Sequence, residues 1–144
     1  MRKSKTQTVF TYGMLMDMRR YVDNPRRVGS ARVKGYRLEF DRYAVMREDP
    51  AGEIYGVAWE VTLADLAALD EFERAPLLYH RIPVSIITPT SVIDGQAYHS
   101  LVLDSNESPD PQYFNSMLGM YQMAGFPVDC LYRALENTKQ AEAA

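Results

Sequence analysis

The stretch Thr62–Arg81, TLADLAALDEFERAPLLYHR, does most to limit what this chain can fold into. Thr62 is followed three residues later by Asp65, just ahead of an apolar run, which is a helix start signal. Leu63, Leu66, Ala67 and Leu69 then recur at helical spacing, so one face is expected on a core. Pro76 stops any helix before β-like residues resume. The spacing therefore predicts a helix over Thr62–Phe72. Three carboxylates, Asp70, Glu71 and Glu73, surround Phe72 at its end. The helix macrodipole disfavours negative charge there. Asp70 and Glu71 read as a solvated helix end. Glu73 differs, because it lies between Phe72 and the apolar segment Ala75–Leu78. A carboxylate lodged among apolar groups has a raised pKa, and it can accept and donate a proton near neutral pH.

The 144-residue chain is read as one domain, 1–144, long enough to bury a core. A net charge of −3 provides no basic field for nucleic acid. The local cluster Arg19, Arg20, Arg26 and Arg27 reads as solvated surface. The single Cys130 cannot form an intrachain disulfide and fits a reducing compartment. Arg2, Lys3 and Lys5 make a basic start, but no apolar stretch of signal-peptide or membrane-span length follows. A cytoplasmic protein without a membrane partner is the expectation.

Thr8–Tyr12 reads as a strand ended by Gly13, and MLMDMRRY as a short helix halted before Asn24-Pro25. A strand-to-helix turn at a glycine exposes backbone N–H groups that suit an anion, which makes Tyr12–Leu15 the second place of chemical interest. Val28–Phe40 reads as two strand pieces around Gly35 and Ala44–Arg47 as a short strand. Glu48–Glu53 is a turn by composition, and Ile54–Val61 a strand in which Gly56 marks a bulge or close approach. Tyr79–Thr88 is a strand with Pro83 suggesting an edge or bulge, Asp94-Gly95 a hairpin turn, and Gln96–Leu103 its return. Tyr113, Met117, Met120 and Tyr121 have helical spacing up to Gly125; Pro127 opens a last helix, Val128–Leu135, before a frayed tail at 137–144. The pattern is α+β: a mostly antiparallel, curved sheet with helices inserted and appended.

Several chemistries find no support. His80 and His99 each lie on a strand, read as satisfied by a hydrogen bond, and no close ligand pair points to a metal. Cys130 falls inside a helix and reads as a small packing residue. There is no phosphate loop and no dinucleotide fingerprint. What remains is an acid near a helix end and a glycine turn after the first strand.

These two features, in this order, resemble the γ-glutamylcyclotransferase superfamily, which includes the AIG2-like proteins. Its first loop is similar to Tyr12-Gly13-Met14-Leu15, with Met14 standing where the family has serine. An Asn-Pro element follows, as at Asn24-Pro25, then a Gly-Tyr-X-Leu-X-Phe strand like Gly35–Phe40. Gly56-Val57 leads to Leu69-Asp70-Glu71-Phe72-Glu73, which resembles the family's Leu-Asp-X-X-Glu motif, with Arg74 where a glycine is common. Tyr79 opens a strand, Ser108–Tyr113 resembles the element that opens the C-terminal helix, and Gly125-Phe126-Pro127 its Gly-Leu-Pro break.

The resemblance implies a small mixed β-barrel with peripheral helices. It implies intramolecular aminolysis of a γ-glutamyl amine or amino acid to 5-oxoproline and a free amine, with no cofactor and no metal. It places the general acid/base on Glu73 and substrate binding on the Tyr12, Gly13, Met14 and Leu15 turn. Tyr79 and Tyr113 are expected to bring a hydroxyl to the same place. A non-catalytic small-molecule-binding or interaction module on the same fold is the alternative.

Overall fold

The computed structural model describes residues 5–73, 79–100 and 107–143. Arg74, the Ala75–Leu78 segment with Pro76, and the expected strand end at 101–103 lie outside them. Five strands are present: β1 (Thr6–Thr11), β2 (Arg26–Asp41), β3 (Tyr43–Thr62), β4 (Tyr79–Ile87) and β5 (Val92–Ser100). Three α-helices accompany them: α1 (Leu63–Phe72), α2 (Pro111–Ala124) and α3 (Asp129–Ala143). The strands close into a barrel in the order β1-β3-β2-β4-β5. Pairing is antiparallel except where β1 meets β5 in parallel, with Phe10 opposite Ala97. The fold is thus the expected α+β barrel of mixed pairing.

The chain forms two compact units, Met1–Val33 with Tyr55–Leu101, and Lys34–Ile54 with Val102–Ala144. In the first, Val9, Phe10, Trp59, Ile86 and Ala97 are buried, on both faces of the sheet. Helix α1 starts as its sequence demands, with the Thr62 side chain accepting from Asp65 N–H at 3.1 Å. Its buried face is narrower than the spacing suggests. Leu66 and Leu69 are buried, but Leu63 is 47% exposed and Ala67 is also at the surface. Burying the two leucines contributes about 1.5–3 kcal/mol each.

Tertiary pairing decides several local expectations. The β4–β5 turn is at Thr88–Ser91, where Thr88 N–H reaches Ser91 C=O at 2.8 Å and the Thr88 hydroxyl adds further bonds. Asp94 and Gly95 instead lie inside β5, opposite Ser85 and Val84. Gly95 is there for clearance: a Cβ would sit 2.6 Å from Thr8 C=O on the neighbouring strand. Glu48–Glu53 carries turn chemistry, with Asp49 Oδ1 accepting from Ala51 N–H, yet it is part of one continuous β3. Pairing with β2 overrides the local preference, and at Gly52 a Cβ would meet Tyr36 C=O at 2.5 Å. Gly35, expected to separate two strands, is absorbed within β2 at φ +91. Pro83, expected at an edge or bulge, is in a strand that pairs along its length with β5 and meets β2 at Ile87.

In the second unit, the distal halves of β2 and β3 turn at Arg42, whose φ is +68. Helix α2 opens on Asp110, which accepts from Gln112 N–H at 2.8 Å, and closes on left-handed Gly125. Phe114 packs on Phe40 and Tyr132. The expected fraying tail is helical. Helix α3 continues to Ala143 because Thr138 is buried and donates to Phe40 C=O at 2.9 Å.

Candidate functional site

The site is built in the first unit from β1, the turn after it, the end of α1, and the β4–β5 pair. Gly56 on β3 sets the approach of β1. A Cβ there would overlap Thr11 C=O and sit 2.8 Å from the Phe10 ring. Strand β1 then ends in Tyr12-Gly13, and the expected short helix appears as two 3-10 turns, Met14–Met16 and Met18–Arg20. Bonding within the first turn begins at Met16 N–H, which reaches Gly13 C=O at 3.0 Å. The Met14 and Leu15 amides therefore take no partner inside the turn. Leu15 and Met16 are buried and anchor it.

Tyr12 is buried, and its hydroxyl donates to Tyr98 C=O on β5 at 2.7 Å. The Tyr98 hydroxyl in turn donates to Asp70 Oδ1 at 2.6 Å. Arg81 Nε lies 2.9 Å from that same oxygen, and its Nη1 donates to Gln96 Oε1 at 2.6 Å. Strand register explains the cluster: Arg81 stands directly opposite Tyr98, and Gln96 opposite Pro83, two residues along. Asp70 is thus held by two strands, and the solvated helix end expected for it is incorrect. Its charge is satisfied by a phenol and a guanidinium rather than by water. Glu71 is exposed, as expected.

Glu73 caps α1, with its N–H on Leu69 C=O at 2.8 Å. Burial pushes its carboxyl up from 4.5 to about 7. Phe72, the residue before it, lies against the Tyr21 ring with centroids 4.9 Å apart. The Glu73 charge is felt by Tyr21 and by Tyr98. Burial, and for Tyr98 the bond to Asp70, pushes both phenols above their ordinary value, so both stay protonated. A carboxyl balanced near neutrality beside protonated phenols can take a proton and return it within one reaction cycle.

Of the residues singled out in the sequence, Tyr12 and the end of α1 are joined through Tyr98. Tyr79 is buried at the head of β4, two residues before Arg81. Tyr113 is in the second unit, where its hydroxyl accepts from Ala44 N–H at 3.0 Å and its ring meets Tyr43 edge-on. Tyr98 and Arg81 were missed. No local pattern marks Tyr98, whereas Asp70 and Glu73, three apart on one helix, share a face and were open to the same reading.

Among the described residues no group of three His, Cys, Asp or Glu side chains is placed to hold a metal ion. His80 and His99 face each other across β4 and β5 with ring centroids 5.3 Å apart. His80 Nδ1 is buried and meets no hydrogen-bond partner among the described residues, contrary to the satisfied strand histidine expected there. Burial pushes the Cys130 thiol up, which suits packing rather than nucleophilic attack. No described helix is long and apolar enough to cross a membrane.

The family described as gamma-glutamyl cyclotransferase, AIG2-like, matches residues 9–116. The fold is similar to that of a protein described as a gamma-glutamyl cyclotransferase, with TM-score 0.79 and 20% identity over 90% of this chain and 86% of that one. An uncharacterized protein from Homo sapiens gives TM-score 0.78 and 21% identity over 90% and 86% of the two chains. An AIG2-like protein from Mus musculus gives TM-score 0.60 and 17% identity over 75% and 82%. At such identities these likenesses concern the fold. No curated protein matches the chain in sequence.

Proposed function

The chain belongs to the gamma-glutamyl cyclotransferase, AIG2-like family, and from that premise we propose that it converts a γ-glutamyl amine or γ-glutamyl amino acid to 5-oxoproline and a free amine. Glu73 is the general acid/base. It takes a proton from the substrate's α-ammonium, and the freed amine attacks the substrate's own γ-carbonyl. A new C–N bond closes the five-membered lactam as the original amide C–N bond breaks. Glu73 returns that proton to the departing nitrogen, then takes the second proton that the new ring nitrogen sheds and passes it to the product amine, which leaves as ammonium; charge and atoms then balance without a protein nucleophile or cofactor. The Tyr12–Leu15 turn holds the γ-glutamyl unit through its amides, and Tyr79 completes the proposed ligand contacts. A cytoplasmic setting accords with the lone cysteine.

The observation that carries this reading is the Glu73 carboxyl held at about 7 by burial, three residues beyond the anchored Asp70. The test is incubation with a panel of γ-glutamyl amines and amino acids, with 5-oxoproline as the readout. Turnover by the wild type that falls about 10²–10⁴-fold in Glu73→Gln supports the reading. Equal turnover in both rejects it. Met14, where the family pattern has a serine hydroxyl, favours the alternative of a binding module. Ligand binding without any 5-oxoproline would select that alternative.

A further inference from the structure

Tyr98 bonds to both halves of the site, to one through its backbone carbonyl and to the other through its side-chain hydroxyl. It is 4% exposed, and its bond to Tyr12 is buried while its bond to Asp70 is part-buried. Through its carbonyl it receives Tyr12, the first residue of the glycine turn; through its hydroxyl it grips Asp70, one helical turn before Glu73. Those two pieces are 58 residues apart in sequence (Tyr12 to Asp70), and no covalent constraint sets their separation. The strand that carries Tyr98 is itself fixed: β5 pairs with β4 on one side and β1 on the other. Arg81, directly opposite, completes the grip on Asp70 and is steadied by Gln96.

We infer that Tyr98 is a positioning residue, which sets where the α1 C-terminal turn, and with it the Glu73 carboxyl, stands relative to the Tyr12–Leu15 turn. This rests on the acid/base role proposed for Glu73. The physical ground is that Glu73 caps its helix and, among the described residues, is bonded through its backbone N–H to Leu69 and Glu71. An unanchored helix end frays, and fraying admits water. Asp70 is the nearest point at which a fixed strand holds that end. The Glu73 charge acts on Tyr21, which caps the second 3-10 turn, and on Tyr98 of β5. Asp70 and Glu71 precede it on its helix, and Arg81 of β4 pairs with Asp70.

The test is Tyr98→Phe, which keeps the ring and deletes the hydroxyl. Two readouts are taken: the Glu73 midpoint by carboxyl carbon NMR, assigned against Glu73→Gln, and kcat and KM as functions of pH. The midpoint is expected to fall by at least about one unit towards 4.5 as water reaches the carboxyl. The expected kcat loss is about tenfold or more with KM within about threefold, because binding groups are untouched while the base moves. An unchanged midpoint with wild-type kcat overturns the inference. A wild type that never forms 5-oxoproline refutes the proposed reaction, and the NMR comparison still decides the role of Tyr98. Should Tyr98→Phe fail to fold, Asp70→Ala cuts the same bond from the other side. Hydrogen exchange at the Glu73 amide is then the readout. Exchange faster by about tenfold or more supports the anchor, and unchanged exchange overturns it.

Discussion

Replacing Glu73 by glutamine should make the protein more stable and less active at once, and the gain should depend on pH in one direction. In the unfolded chain the carboxyl titrates near 4.5; in the folded protein burial holds it at about 7. Between those values the folded state binds more protons than the unfolded state, so stability falls as pH rises. The wild type has its full stability below pH 4.5 and loses this contribution as pH passes through 7. The interval corresponds to about 3 kcal/mol at ~1.36 kcal/mol per unit. Residual contact with water brings the expectation nearer 2 kcal/mol. Glutamine has the shape of the protonated acid and never ionises. Urea unfolding of both proteins at half-unit steps from pH 4 to 9 is the assay. The two should agree within about 1 kcal/mol at pH 4, and Glu73→Gln should gain about 2 kcal/mol by pH 8. In thermal scans that gain is a Tm rise of about 6–10 °C for a chain of this size. Curves that stay parallel across the whole range would show that no charge is being forced into an apolar place, and the acid/base argument would go with it.

Gly56→Ala should destabilise by about 3 kcal/mol, because the new methyl meets the Thr11 carbonyl and the Phe10 ring rather than a side chain free to move; denaturant unfolding checks this, and a loss under about 1 kcal/mol would mean β1 shifts easily. Tyr113→Phe should cost about 1 kcal/mol through the lost bond to Ala44 N–H; denaturant unfolding checks this, and an unchanged stability would refute it. Turnover should survive prolonged dialysis against EDTA, since the described residues bring no three metal-ligating side chains together; loss on chelation, restored by one divalent ion, would refute this.

What could be read directly from the chain was whatever short-range chemistry decides. Thr62 caps α1 because its partner, Asp65 N–H, is three residues away, and Gly125 ends α2 because only its own backbone need turn left-handed. The raised carboxyl of Glu73 was expected from its apolar sequence neighbours, and burial does raise it, although Phe72 itself is exposed and lies against Tyr21. Glycines were ambiguous, since a residue without a side chain serves a turn and a tight strand contact equally. Gly95 looked like the first and is the second, because Thr8 from a distant strand occupies the space its Cβ would need. Turn chemistry at Glu48–Glu53 lost to the pairing of β3 with β2. Asp70 was misread and Tyr98 unseen because their bond spans 28 residues and exists only when β5 lies beside α1. A hydrogen bond between remote side chains leaves no periodicity behind, whereas a cap or a buried neighbour does. The cap and end of α1 were therefore written in their own stretch of chain, whereas the Asp70–Tyr98 bond was settled by the closing of the barrel.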